Sequence, residues 1–264
     1  MGIESLIVDK TDHGGALIAI QSDYGVGKSR LAIQVSADVP TAYMLLDPND
    51  KYTQNHVPTG GKIDFYRPVL PADASDNDKA VWLASVNSVW NHFLAGKPSP
   101  VHPEWGPYGA FVWDTATMLW YRQWNIRVEQ RIKASKDQSR QAGPLDFTQA
   151  NEWMRAIATG RNDLRPETMV LVLLHEEPVY IPDERNPGFK VPHPTAKQLD
   201  GWKHTFRDIQ LGVRLVRRAS AKLRDGKTDG KNVRYGVILK HAGDERMIGV
   251  ETAEPTWEDI KGWL

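Results

Sequence analysis

Three successive residues, Gly27-Lys28-Ser29, carry the most specific chemistry in the chain. They follow the apolar run Ala16–Ile20 and the segment Gln21-Ser22-Asp23-Tyr24-Gly25-Val26. Gly25 and Gly27 let backbone N–H groups curl around an anion, and a helix starting behind them adds the positive end of its dipole. Lys28 is placed to reach β- and γ-phosphates, and the Ser29 hydroxyl to meet Mg²⁺. Three of the four fixed positions of G-x-x-x-x-G-K-[ST] are met; the first glycine falls on Ser22. Ser22 to Arg30, with Asp23, Tyr24 and Val26 inside it, is read as a nucleotide cradle. The alternative is an ordinary glycine turn between a strand and a helix.

Three further residues extend this chemistry. Asp114 closes the apolar run Ala110-Phe111-Val112-Trp113 and precedes Thr115. A carboxylate there can hold Mg²⁺ directly or through water, or merely cap a strand end. Asp47, with Asp50 nearby, can orient an attacking water, or be a turn carboxylate. His175 follows the apolar stretch Thr168–Leu174, where it can hydrogen-bond a γ-phosphate or be satisfied internally. In open α/β sheets ligands bind beyond the carboxyl ends of the strands, so these groups are expected on one sheet edge. His175-Glu176-Glu177 opens like a zinc-protease motif, but residue 179 is valine where the second histidine is required. The other histidines are scattered, and no structural metal is expected.

The elements that must position these residues follow from pattern. Strands are expected at Ala16–Ile20, Ala42–Leu46, Ile63–Tyr66, Ala110–Thr115 and Thr168–Leu174, then at about Asp208–Arg217, Val233–Lys240 and Met247–Val250. A helix is expected from the glycine turn to about Ala37. Another, capped by Asp76-Asn77, carries Trp82, Val86, Val89, Trp90 and Phe93 at helical spacing and ends at Gly96 and Pro98. Others span Ala116–Lys133 and a stretch marked by Phe147, Trp153, Met154 and Ile157. Residues 176–203 hold five prolines and read as a long loop. Thr256 and Asp259 fit a capping box for a short last helix, with Trp257, Ile260 and Trp263 inward. Alternating strands and helices imply a mostly parallel sheet flanked by helices, with late strands added as antiparallel hairpins. The expected organisation is a lead-in over 1–15, one domain over 16–252 and a helical tail over 253–264.

Composition bounds the function. The 264 residues, 41% of them hydrophobic, can build a substantial core. Lysine plus arginine equals aspartate plus glutamate, so any polyanion contact must be local. With no cysteine, disulfides and thiolate metal sites are excluded. No apolar run approaches the ~18 residues of a membrane span, and no leader pattern is seen. A cytoplasmic setting is expected. Basic residues cluster over Arg122–Arg140 and Arg214–Lys231.

In this order the motifs resemble the RecA-type ATPase core, closest to the short phage recombinases related to RecA and to annealing proteins. The resemblance spans roughly residues 16–250 in element order, and only the motifs are specific. It implies Mg²⁺ and ATP as ligands, a ring or filament of identical subunits, and single-stranded DNA as partner. Leu45-Leu46-Asp47-Pro48-Asn49 falls where the family carries its catalytic glutamate; here that position is Asn49, leaving Asp47 or Asp50 as substitutes. His175-Glu176 stands where relatives end a strand in a polar sensor. The loop after the sensor contacts DNA in the family. Here it holds Arg185, Lys190, Lys197 and Lys203 among Tyr180, Phe189 and Trp202, a pattern suited to phosphates and stacked bases, though also to a solvated flap or nucleotide lid. Lys240, and next Arg246, stand where relatives place a cation that reaches a neighbour's γ-phosphate, as arginine fingers do; the alternative is a hairpin tip. Two rivals remain: a nucleotide-gated DNA-binding or loading module with little hydrolysis, and a small-molecule kinase built on the same phosphate loop.

Overall fold

The computed structural model describes residues 15–47, 52–135, 148, 150–152, 154–156, 164–182, 190–199, 209–219, 223–224, 227–228 and 232–264. Asp50, Asn49, Arg185, Phe189, Trp202 and Lys203 lie outside the described residues, as do Phe147, Trp153 and Ile157.

Five parallel pairings form the centre of one large sheet. β1 (Ala16–Ser22) lies between β5 (Met169–Pro182) and β7 (Leu211–Ala219). β5 is followed outward by β4 (Ala110–Asp114), β2 (Thr41–Leu45) and β3 (Ile63–Tyr66). On the other side of β7 come the antiparallel strands β10 (Asn232–His241) and β11 (Glu251–Ala253). Among the described residues β6 (Lys190–Leu199) pairs with β5 alone, and β8 (Leu223–Arg224) with β9 (Lys227–Thr228). The fold is therefore α/β, with a mixed, mostly parallel sheet flanked by helices and closed by antiparallel C-terminal strands.

Central strands buried on both faces read as continuous apolar runs, and alternate residues divide between two cores. Leu17 and Ala19 of β1 join Met44, Phe111, Trp113, Val170 and Val172 on one face. There α2 (Asp76–Leu94) inserts Trp82, Val86, Trp90 and Phe93, and α3 (Ala116–Ala134) inserts Leu119, Trp120 and Ile126. Ile18 and Ile20 face the other way, toward Leu31, Ile33 and Val35. This second core also takes Trp257, Ile260 and Trp263 from the last helix, α4 (Trp257–Gly262), so the C-terminal segment is packed against the sheet rather than hanging from it. Thr256 and Asp259 form the expected capping box.

Four boundaries differ from the sequence reading. Ser75, not Asp76-Asn77, caps α2, in a reciprocal pair with Asp78; such a cap contributes about 1 kcal/mol. The helix after the glycine turn, α1, covers only Lys28–Ala32 and tightens into a 3₁₀ turn over Ile33–Ala37. Residues 176–203 are not one long loop: β5 runs on to Pro182 and pairs with β6 as an antiparallel arm. Met247–Val250 is not a strand. Asp244 caps a 3₁₀ turn over Glu245–Met247, Gly249 takes φ +87°, and the edge strand begins at Glu251.

Candidate functional site

The chain leaves β1 for β2 and β3 on one side, returns through β4 and β5, and then crosses β1 to β7. Strand order thus reverses around β1, which opens a crevice beyond its carboxyl end. The turn that follows β1 fills this crevice. Gly25 and Gly27 take φ values of +72° and +106°, a region that side chains with a Cβ adopt at a cost. Gly27 is the residue before α1, whose first N–H groups have no side-chain cap.

Lys28 folds back over the turn it terminates. Its Nζ donates to the Ser22 carbonyl (3.2 Å), Ser22 Oγ (3.1 Å) and the Asp23 carbonyl (3.2 Å), and it lies 3.2 Å from His175 Nδ1. The side chain is buried, and among the described residues no carboxylate lies within ion-pair distance of it. Burial pushes its pKa down to about 8, although the surrounding Asp114, Glu176, Asp23 and Asp47 oppose that shift.

His175 sits opposite Ser22 in the β5–β1 register, not at a strand terminus, because β5 continues past the sheet edge. Its backbone N–H donates to Thr117 Oγ1 (2.9 Å), and the Tyr24 ring stacks on its imidazole at 3.7 Å. Burial first, and the Lys28 charge second, lower its pKa to about 3, so the ring is neutral near pH 7. Nδ1 facing the Lys28 ammonium must accept, which puts the ring proton on Nε2. That Nε2 is buried and has no hydrogen-bond partner among the described residues.

Asp114 is 1% exposed and ends β4 on the same edge; Tyr43 donates its hydroxyl to Asp114 Oδ2 at 2.7 Å. Thr115 caps α3 immediately after it. Tyr24, Lys28, Ser29, Asp47, Asp114 and His175 all line one cleft of about 330 Å³. The structure therefore brings the glycine turn, Asp47, Asp114 and His175 to one cleft, His175 from within β5 rather than from its end.

The opposite wall was not foreseen. Tyr52, Thr53 and His56 border the cleft from a 3₁₀ turn, Thr53–His56, that apolar periodicity could not reveal. Arg122 belongs by sequence to the basic run Arg122–Arg140. It lies under Trp82, at 5.3 Å from the ring, and in the field of Asp47, while burial lowers its pKa. Glu176 accepts from Gln21 (2.6 Å) and from Arg214 Nη2 (2.9 Å), with Arg214 Nε 2.8 Å from its other oxygen, which ties β5, β1 and β7 together.

Other candidates lie elsewhere. Lys190 and Lys197 are on β6, and Lys197 reaches back to Asp23 of the glycine turn (3.3 Å). Lys240 pairs with Gly212 of β7, which is level with Ala19 in the middle of β1, two strands away from the glycine turn. Arg246 is 91% exposed and pairs with Asp244 beyond the end of β10. Neither meets the cleft within one chain.

In comparisons with known proteins, no protein-family model matches the chain and no curated protein matches it.

Proposed function

We propose that the cleft binds a Mg²⁺–nucleoside triphosphate, ATP by the sequence resemblance, and that the chain is a RecA-type phosphate-loop ATPase acting on single-stranded DNA. The observation that carries this reading is Lys28. A buried ammonium held only by neutral acceptors, with its pKa depressed by burial, is costly to keep. It becomes favourable when polyanionic oxygens enter beside it. The neighbouring groups fit the same ligand. Gly25 and Gly27 line the cleft, and His175 Nε2–H is a donor without a partner among the described residues. Ser29 and Asp114 are the residues that would hold Mg²⁺, which when bound would neutralise charge on the β- and γ-phosphates.

Asp47 also lines the cleft and would orient the attacking water. His175 would report the terminal phosphate to β5, and through β5 to the β5–β6 arm. The Lys197–Asp23 pair links that arm back to the turn. Lys190, Lys197 and the half-exposed Tyr180 give the arm cations and a ring for a single strand. Asn49 at the family's glutamate position favours a second version of this reading, in which binding gates DNA contact and hydrolysis is slow.

Steady-state ATPase with and without single-stranded DNA tests the proposal. Asp114→Asn should hold ATP affinity within an order of magnitude yet lose most Mg²⁺-dependent turnover. Turnover that survives Asp114→Asn but disappears in Asp47→Asn would contradict the metal assignment.

A further inference from the structure

A second cavity, of about 350 Å³, lies on the β7–β10 side of the glycine turn. Gly27, Arg30, Arg217, Asn232, Arg234 and Glu254 line it, and Gly27 and Arg30 also border the first cleft. Arg217 and Arg234 stand directly opposite one another in the β7–β10 ladder, so both project from the same face. Like charges in that position destabilise a sheet. Arg30 on α1 brings a third guanidinium to the same space.

Intrachain pairing does not balance this charge. Glu254 is the one carboxylate among the residues lining the cavity. It accepts from the Arg234 backbone N–H at 2.9 Å, and its other oxygen lies 3.7 Å from Arg234 Nε. Arg234 also donates to the Pro255 carbonyl (3.1 Å), while its third nitrogen sits against Gly27, where an added Cβ would lie 2.9 Å away. Among the described residues, Arg30 and Arg217 have no hydrogen-bond or ion-pair partner. Burial lowers the Arg234 pKa; Glu254 opposes this, and the charges of Arg30 and Arg217 lower it further. Guanidinium nevertheless stays charged throughout the accessible pH range.

We propose that this cavity is a second anion site, which takes a phosphate monoester or diester between Arg30, Arg217 and Arg234. Forked guanidinium donors match phosphate oxygens, and an anion converts a repulsive cluster into a mutually bridged one. Asn232 supplies a neutral donor beside them. The phosphate can come from two sources: a further phosphate of a nucleotide seated in the adjoining cleft, since Gly27 and Arg30 face both spaces, or the backbone of a nucleic-acid strand. The site stands independently of the triphosphate reading.

Inorganic pyrophosphate is the probe, titrated calorimetrically without metal into wild type, Lys28→Ala, Arg217→Gln and the double variant. Arg217 is exposed and lines only the second cavity, and its removal relieves the repulsion across the ladder, so Arg217→Gln should melt no lower than wild type. Lys28→Ala should retain a pyrophosphate site that the added Arg217→Gln weakens about tenfold or more. Retained affinity in the double variant, or no binding at all by Lys28→Ala, would overturn the proposal. Loss in Arg217→Gln with no effect of Lys28→Ala would uphold this site and count against the triphosphate reading. With the site upheld, weaker ATP binding by Arg217→Gln assigns the phosphate to the nucleotide, and a weaker grip on a single-stranded oligonucleotide assigns it to the strand.

Discussion

Lys28 carries a burial cost that the proposed ligand would offset. In the unfolded chain it titrates near 10.5, and in the folded protein near 8. Below pH 8 both states carry the proton and the fold bears the cost of burying the charge. Between pH 8 and 10.5 the unfolded chain binds more protons, so stability rises with pH across that window. Lys28→Met keeps the volume and removes the charge. At pH 7 without nucleotide it should be more stable than wild type by about 1–3 kcal/mol, and the rise between pH 8 and 10.5 should flatten. Urea melts across pH check this; a variant less stable than wild type with the rise intact would contradict it. His175 acts in a separate window. Its depressed folded pKa, about 3, means that the stability it contributes is complete above 6.5 and is lost as pH falls toward 3.

Among the elements, β1, its glycine turn, β4 and α2 were legible because a buried strand or helix face leaves a strict pattern of apolar residues. The β5–β6 arm was not. Pro178, Pro182, Pro192 and Pro194 argue against strands, yet in a two-stranded arm alternate N–H groups point away from the partner, where proline costs no ladder bond. Met247–Val250 misled in the opposite direction: its apolar side chains suit a strand, but Gly249 turns the backbone. The cleft wall Tyr52–His56 left no signal because a single 3₁₀ turn has no period to read. The proposed role of the arm is testable as a unit. Replacing Arg185, Lys190 and Lys197 with alanine should weaken single-strand binding and flatten its salt dependence, by roughly 0.7 in log–log slope for each lost phosphate contact. An unchanged slope, measured by fluorescence anisotropy over a salt series, would place the strand elsewhere.

For the whole molecule, Lys240 lies two strands from β1, level with Ala19 in mid-strand, and does not line the cleft. The proposed finger role is therefore one toward a nucleotide in another subunit, and head-to-tail contacts of that kind build rings or filaments. On this account specific ATPase activity should rise steeply with protein concentration, and Lys240→Ala should lower turnover with little change in ATP affinity. Mixing Lys240→Ala with Lys28→Ala subunits should restore some activity, one supplying the site and the other the cation; additive, unrescued rates would contradict a shared site. All of this depends on the cleft taking a nucleoside triphosphate. The most direct measurement is calorimetric titration of Mg²⁺–ATP into wild type and Lys28→Ala at pH 7. The account predicts saturable binding with one nucleotide per chain in wild type and a loss of affinity of about a hundredfold or more in the variant. Equal affinity in the two proteins, or no binding by wild type, would contradict it.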